Sequence, residues 1–212
     1  MNAVIVAAGQ FPRKEYPLYL LRSADYIICC DSALVTLEKH GIRPDVVIGD
    51  LDSVCGRALR RFDGLVVKCE EQESNDLTKA FRYLMENKPG TGTIHILGAT
   101  GRSEAHTLGN MSLLMQYETD YSLSERGISL DMVSDYSTMF AVSGSTELHI
   151  GEGRRVSFFS PDPQLHIESE GLRWPLDGVV FDNWWKASLN IASSDVVVLK
   201  FSKRAPLLVV LD

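Results

Sequence analysis

The feature that most limits the fold is an alternation of short apolar runs with helix-like stretches through the first half of the chain. The runs are rich in β-branched and other apolar residues, as buried parallel strands are. They are Ala3–Ala8, Tyr26–Cys30, Val46–Ile48, Leu65–Lys68 and Thr93–Leu97. Strands that alternate with helices predict an α/β domain with a mostly parallel sheet.

The pattern changes after residue 129, where short β-type runs follow one another directly. They are Leu130–Val133, Thr138–Val142, Thr146–His149, Arg155–Phe159, Leu165–Glu168, Val179–Phe181, Val196–Phe201 and Leu207–Leu211. A series of short strands separated by turn residues predicts an all-β sandwich of the jelly-roll type. We therefore expect an α/β domain over residues 1–129 and a β-sandwich over residues 130–212.

Acidic and polar residues follow several of the predicted strands. Asp31 comes after the second strand, and polar stretches come after the fourth and fifth, at Gln72–Asp76 and Thr100–His106. Ligands of parallel sheets bind outside the carboxyl ends of the strands. We therefore expect these side chains to meet at one rim of the sheet.

The stretch PDVVIGDLDS, residues 44–53, carries two further carboxylates directly after the third strand. In an extended chain Asp50 and Asp52 point to the same side, where they repel each other unless a cation joins them. Oxygen ligands of this kind suit Mg²⁺, which predicts a magnesium site. The alternative is a polar loop in which Asp52 or Ser53 caps the next helix.

The composition limits the binding partners and the cellular compartment that we expect for this protein. The net charge of −7 argues against a general nucleic-acid binder, which has a basic footprint, but a metal can screen a nucleotide's phosphates from acidic side chains. The four cysteines form no CxxC pair, which favours reduced thiols of a cytoplasmic protein over a zinc site. No run approaches the ~20 apolar residues of a membrane helix, so we expect no membrane partner.

Five motifs then occur in a specific order along the chain. They are CDSAL (residues 30–34), GIRPDVVIGDLDS (41–53), QESNDLTKA (72–80), GATGRSEAHTLGN (98–110) and GLRWPL (171–176). With these motifs the chain resembles the thiamine pyrophosphokinase (thiamine diphosphokinase) family over nearly its whole length. The resemblance implies transfer of diphosphate from ATP to thiamine with release of AMP. It also implies a homodimer with the active site in the cleft between subunits.

The resemblance further implies roles for individual residues. Asp50, Asp52 and Asp76 hold Mg²⁺ in this interpretation, and Gln72 joins them in the catalytic set. Asp76 is also a candidate acceptor for the hydroxyl proton. The remaining implied binding residues are Asp31, Ser32, Asn75, Thr100, Gly101, Arg102, His106 and Asn110 in the first domain, and Leu189 and Asn190 in the second.

One motif departs from the family pattern, which resembles GGR-x-DH-x-L-x-N. Ser103 and Ala105 stand where the family has arginine and aspartate, and Arg102 is one residue away from the arginine position. This departure leaves open a degenerate homologue that binds thiamine or nucleotide without turnover. A third hypothesis assigns the aspartate pair to a metal-dependent phosphohydrolase.

Several other residues keep two interpretations. Lys79 is interpreted as part of a solvated helix face, with a phosphate contact as the alternative. Trp184 and Trp185 either stack on the thiazolium ring or pack in the core or a subunit interface. Asn75 or Ser74 caps the helix that follows.

Overall fold

The structure, a computed structural model, describes residues 1–52 and 56–212. Ser53, the alternative cap, and Cys55 lie outside the described residues. The chain divides into two compact units, the first formed by Met1–Asn110 with Gly127–Asp135 and the second by Met111–Arg126 with Tyr136–Asp212. The predicted boundary after residue 129 stays a prediction.

The described part of the first unit contains a six-stranded parallel sheet. In chain order the strands are β1 (Asn2–Val6), β2 (Tyr26–Cys30), β3 (Val46–Gly49), β4 (Leu65–Lys68), β5 (Thr93–Leu97) and β6 (Ser129–Val133). They lie in the order β6-β5-β1-β2-β3-β4, and every neighbouring pair is parallel. The predicted α/β architecture is confirmed.

Helices separate these strands along the chain. They are α1 (Glu15–Arg22), α2 (Ala33–Lys39), α3 (Gly56–Arg61), α4 (Asp76–Asn87) and α5 (Glu104–Tyr121). In β1, β2, β3 and β5 nearly every residue is buried, as in parallel strands that are covered on both faces. Their carboxyl ends are therefore the places where polar side chains can reach an opening.

The sequence of α4 explains its position. Asn75 is the N-cap, and its side-chain oxygen accepts a hydrogen bond from the Thr78 backbone N–H over 2.9 Å, so the prediction of an asparagine cap is confirmed. Leu77, Ala80, Phe81 and Leu84 are all buried. Their spacing of three and four residues forms one apolar face, which packs this helix on the sheet.

Strand β6 corrects one prediction. The sequence pattern predicts that Leu130–Val133 belongs to the β-sandwich, but β6 pairs parallel with β5 in a register that runs from Thr93 opposite Ser129 to Leu97 opposite Val133. Parallel neighbours need a crossover connection of a dozen or more residues, and α5 lies between β5 and β6 in the chain. A strand's own residues do not reveal which strand will be its partner.

The described part of the second unit contains two antiparallel sheets, with strand orders β11-β9-β13-β7 and β10-β12-β8. The strands are β7 (Thr138–Val142), β8 (Thr146–His149), β9 (Arg155–Phe159), β10 (Ile167–Glu170), β11 (Asn190–Ile191), β12 (Val196–Phe201) and β13 (Leu207–Leu211). One buried cluster takes Phe158 and Val209 from the first sheet and Ile167 and Val197 from the second. The predicted sandwich is therefore confirmed.

Two details of the second unit differ from the prediction. Strand β10 begins at Ile167 instead of Leu165, because the Leu165 backbone N–H closes a turn onto the Asp162 carbonyl over 3.2 Å. Val179–Phe181 forms no strand, and the Val179 N–H likewise closes a turn onto the Leu176 carbonyl over 2.8 Å. Apolar side chains at these turns join the core without pairing in a sheet.

No helix in the part of the chain that the structure describes is long and apolar enough to cross a lipid bilayer.

Candidate functional site

A cavity of about 440 Å³ opens at the carboxyl ends of β1, β2 and β5, beside the N-termini of α4 and α5. The predicted site residues that line it are Asp31, Ser32, Asn75, Asp76, Thr100, Arg102, His106 and Asn110. Its position agrees with the rule that parallel sheets bind ligands outside the ends of their strands. The expectation that polar residues from successive strand ends share one rim is met for these residues.

Two carboxylates lie close together across Gly49. A Cβ atom on Gly49 would be 3.1 Å from the Asp31 Cβ and 3.5 Å from both the Asp31 and the Asp76 carboxyl carbons. The two carboxyl carbons are therefore no farther apart than twice that last distance. Because Gly49 has no side chain, the ends of β2 and β3 and the start of α4 can approach one another here.

Asp31 also has an unusual backbone conformation. Its φ is +39°, in the left-handed region that non-glycine residues rarely occupy. Its backbone N–H donates to the Ile48 carbonyl over 2.9 Å, so pairing with β3 holds the strained residue in place. Such strain persists where the surrounding structure over-determines it, and it clusters at functional sites.

Asp50 and Asp52 are arranged differently from the expectation of an extended chain. Leu51 has φ +67°, and the Asp50 carboxylate accepts the Asp52 backbone N–H over 3.1 Å. The chain turns at Leu51, so alternation of side chains does not apply there. Asp50 is half-buried and Asp52 is exposed, and neither lines the cavity.

A lysine side chain lies near the turn that carries Asp50 and Asp52. Lys68 pairs with Gly49 in the register between β3 and β4, and its ammonium forms a salt bridge of 2.7 Å with Glu70. That salt bridge raises the pKa of Lys68, and the negative charges of Asp52 and Asp50 raise it further. Because Gly49 pairs with Lys68, Asp50, which follows Gly49 in the chain, lies near the end of β4.

The interpretation of Lys79 as a solvated side chain is wrong. It is buried within α4, and its ammonium lies 3.3 Å from Asp76 Oδ1. Helical positions three residues apart lie on the same face, so the lysine reaches the carboxylate that lines the cavity. Burial of an ammonium is unfavourable unless it is paired, and Asp76 provides that pairing.

The departure from the family motif has a structural counterpart at the start of α5. The Ser103 carbonyl accepts the Thr107 N–H over 2.9 Å, and the Ser103 hydroxyl accepts the His106 N–H over 3.4 Å. Ser103 therefore caps the helix. Arg102, which precedes it, lines the cavity, and its guanidinium donates to the Ala8 carbonyl over 2.9 Å.

Sequence reasoning missed Cys30 and the segment Ala7–Gly9, which also line the cavity. Burial raises the pKa of the Cys30 thiol well above its usual value, and Cys29, Asp76 and Asp31 raise it further. Cys30 is therefore a protonated wall residue and not a nucleophile. A signal for both features was present, because Cys30 and Gly9 stand at the ends of predicted strands.

The remaining predicted residues lie outside this cavity. Gln72 and Gly101 are exposed and do not line it. In the second unit, Leu189 is exposed with φ +58°. The buried Asn190 side chain binds the backbone of Trp174, accepting from its N–H over 3.2 Å and donating to its carbonyl over 2.6 Å. Asn190 thus holds the segment that carries Trp174, which is exposed.

The two neighbouring tryptophans are exposed as well. Trp184 and Trp185 keep 46% and 69% of their surface, so the interpretation as core residues is wrong. Stacking on a ring and packing in a subunit interface both remain predictions.

The acidic wall has the donor chemistry that a hard divalent cation requires. Asp31 and Asp76 offer carboxylate oxygens, and both of their carboxyl carbons lie 3.5 Å from the position of a Cβ on Gly49. A lysine ammonium lies 3.3 Å from Asp76 Oδ1. Within residues 1–52 and 56–212, no group of three or more His, Cys, Asp or Glu side chains is arranged to hold a metal ion. The donors suit Mg²⁺ by type, and the predicted set of three ligands stays a prediction.

Comparisons with known proteins give the same family for both parts of the chain. The family model "Thiamin pyrophosphokinase, catalytic domain" matches residues 18–124, and "Thiamin pyrophosphokinase, substrate-binding domain" matches residues 138–205. A curated relative, thiamine pyrophosphokinase of Bacillus subtilis (strain 168), is 29% identical over 155 residues, which cover 69% of this chain and 68% of the relative.

Solved structures support the same fold. A thiamin pyrophosphokinase family protein from Enterococcus faecalis superposes with a TM-score of 0.81 at 15% identity, over 100% of this chain and 99% of that one. The yeast thiamin pyrophosphokinase gives a TM-score of 0.79 at 16% identity, over 100% of this chain and 86% of that one. At these identities the likeness shows the fold alone.

Proposed function

Because the chain belongs to the thiamin pyrophosphokinase family, we propose that it is a thiamine diphosphokinase. Membership of this family implies a kinase or transferase activity. The proposed reaction transfers the terminal diphosphate of ATP to the hydroxyl group of thiamine and yields thiamine diphosphate and AMP.

One observation carries the proposal. The cavity at the strand ends has carboxylates on one part of its lining, Asp31 and Asp76, and a guanidinium on another, Arg102. A polyphosphate that carries a divalent cation needs both kinds of group. The N-termini of α4 and α5 lie at the same cavity, and helix N-termini favour phosphate groups.

The chemistry follows from these groups. The thiamine hydroxyl oxygen forms a bond to the β-phosphorus, the bond from that phosphorus to the oxygen it shares with the α-phosphorus breaks, and AMP leaves. The proton of the hydroxyl passes to Asp76. Arg102 stabilises the negative charge that develops on the phosphate oxygens, a contribution that preorganised donors make in many transfer enzymes.

We assign the metal to Asp50, Asp52 and Asp76, with Asp31 nearby. When bound, Mg²⁺ neutralises phosphate charge and orients the phosphate oxygens. The support is the oxygen-only donor set and the close approach of the Asp31 and Asp76 carboxyl groups to the backbone of Gly49. Gln72, Ser32, Thr100, Gly101, His106 and Asn110 complete the proposed nucleotide site.

The second unit supplies the thiamine site in this proposal. Its support is the match of residues 138–205 to the substrate-binding domain model, together with Leu189 and with Asn190, which holds the Trp174 segment. We propose a homodimer with the reaction in the cleft between subunits. We also propose a cytoplasmic location, in keeping with the free thiols of Cys29, Cys30 and Cys69.

Product analysis tests the proposal. The protein is incubated with ATP, Mg²⁺ and thiamine, and nucleotides and thiamine esters are separated by chromatography. We expect AMP and thiamine diphosphate in equal amounts. Asp50→Asn should abolish their formation, whereas Asp120→Asn, a change of an aspartate on α5 that does not line the cavity, should not.

Other products would indicate a different activity. Formation of ADP would overturn the proposal, and release of inorganic phosphate without thiamine would support a phosphohydrolase. No turnover with any divalent metal, together with restored turnover in a variant carrying Ser103→Arg and Ala105→Asp, would identify a degenerate homologue. No described feature favours that alternative.

A further inference from the structure

Lys79 has an environment that the proposed reaction does not explain. Among the described residues it is the only lysine or arginine that is buried, and its side chain keeps 4% of its surface. A buried cation is unfavourable without a partner. A residue of this kind in an amphipathic helix therefore calls for a specific role.

Its partner is Asp76, one of the two carboxylates that line the candidate site. The ammonium lies 3.3 Å from Asp76 Oδ1. Asp76 lines the cavity and Lys79 does not, so the lysine approaches the carboxylate from the protein interior. Asp76 Oδ2 is then the oxygen left for a ligand in the cavity.

Other carboxylates near Asp76 give its ion pair with Lys79 a second effect, on stability. Asp31 lies close to Asp76 across Gly49, and Asp50 follows Gly49 directly. Carboxylates held this close repel one another, and the repulsion is strong where water is scarce. The ammonium of Lys79 offsets that repulsion when no metal is present.

We propose that Lys79 is a positioning residue that holds Asp76 through Oδ1, leaves Oδ2 for a metal ion, and stabilises the acidic cluster while the metal is absent. This inference rests on the proposed function, because it assumes a divalent cation in the same cavity. An ordinary ion pair within a helix would stabilise α4 equally with and without metal. The two roles therefore differ in how the effect of Lys79 depends on Mg²⁺.

The test compares full-length variants in EDTA and in saturating Mg²⁺. Lys79→Met removes the charge and nearly keeps the length of the side chain, Lys79→Arg keeps the charge, and Lys88→Met is a matched change at the end of the same helix. Melting temperature is measured in both conditions, Mn²⁺ binding is measured by electron paramagnetic resonance, and kcat and KM are measured separately.

We expect Lys79→Met to lower the melting temperature more in EDTA than in Mg²⁺, and to bind Mn²⁺ roughly tenfold more tightly because a competing cation is gone. Its kcat should fall by about tenfold or more, since Asp76 loses its orientation, while KM for thiamine stays near the wild-type value. Lys79→Arg should keep the wild-type response of the melting temperature to Mg²⁺. Lys88→Met should resemble the wild type in metal response and kcat.

Equal destabilisation of Lys79→Met in both conditions, with unchanged Mn²⁺ affinity and kcat, would overturn the inference and leave the proposed function intact. Absence of Mn²⁺ binding and of turnover in the wild type would overturn both. If Lys79→Met does not fold, Lys79→Gln allows the same comparison, because it keeps a donor to Asp76 but not the charge.

Discussion

Asn75 donates a hydrogen bond from its side-chain amide to the side-chain oxygen of Asn110 over 3.2 Å. Asn75 also caps α4, and the buried Asn110 donates its own amide to the Ala99 carbonyl, just after β5, over 2.8 Å. Two amide side chains thus tie the N-terminus of α4, the first half of α5 and the end of β5 into one wall of the cavity. These hydrogen bonds hold the two side chains in one arrangement, and preorganised groups are what an active site requires.

A double-mutant cycle on this pair should reveal coupling. Asn75→Ala loses the helix cap and should cost about 1 kcal/mol. Asn110→Ala leaves the Ala99 carbonyl without its donor and should cost about 1–3 kcal/mol. We expect the double variant to lose less free energy of unfolding than the sum of the two single losses, by about 0.5 kcal/mol or more. The free energies are measured by urea denaturation. Strictly additive costs would show that the bond between the amides contributes nothing.

Gly49→Ala should disrupt the acidic wall. The new Cβ would lie 3.1 Å from the Asp31 Cβ, so Asp31 must shift by a few tenths of an ångström, and the φ of Gly49, +156°, is one that alanine rarely adopts. A misplacement of about 1 Å near the reacting groups can cost roughly a hundredfold in rate, and we expect this smaller shift to lower kcat/KM by about tenfold. Gly41→Ala is the matched control, because Gly41 also has a positive φ, +67°, and nothing lies within 4 Å of its Cβ position. Equal activity of the two variants would contradict a catalytic role for the close approach of Asp31 and Asp76 at Gly49.

Arg102→Ala should weaken nucleotide binding without unfolding the protein. Arg102 is exposed, and its guanidinium donates a hydrogen bond to the Ala8 carbonyl. Loss of a phosphate contact should raise KM for ATP about tenfold, whereas the free energy of unfolding should change by less than about 0.5 kcal/mol, as at other surface sites. Arg22→Ala, an exposed change on α1, serves as the control. An unaltered KM would exclude Arg102 from the nucleotide site.

The buried thiols should make stability fall in alkaline solution. Burial, with a smaller contribution from Asp31, raises the pKa of Cys29 from 9.0 to about 12. Below pH 9.0 the thiol is protonated in both states, so its contribution to stability is fully present. Above that pH the unfolded chain releases the proton and the folded chain keeps it, so the unfolded state binds fewer protons and stability decreases as pH rises to about 12.

The expected slope for this thiol is about 1.4 kcal/mol per pH unit. It is measured by urea denaturation between pH 8 and pH 11, a range chosen to straddle the unfolded pKa. Cys29→Ala should show a shallower decline than the wild type. Identical pH dependence of the two proteins would mean that Cys29 ionises as easily in the folded state as in the unfolded one.

Local patterns predicted most of the elements because their causes are local. Runs of β-branched and apolar residues marked β2, β5, β9 and β12 with the bounds that the structure has. An asparagine before a helical stretch indicated the cap of α4. The rim of the sheet also followed from sequence, since the carboxyl ends of parallel strands share one edge.

Other features depend on neighbours that are distant in the chain. The parallel partner of β6 depends on the crossover through α5. The burial of Lys79 depends on packing of α4 against the sheet, and a charged residue in a polar motif gives no sign of it. The turn at Leu51 changed the relation of Asp50 to Asp52 although the sequence there is compatible with extended chain.

The sequence by itself determined the elements, the two kinds of sheet and the chemical types of the site residues, because backbone preference and hydrophobic period act over a few positions. Only the tertiary structure decided that Asp31 and Asp76 meet across Gly49 and that Lys79 pairs with one of them. Those contacts join β2, β3 and α4, and their energies depend on distance and burial, which arise only when the elements pack.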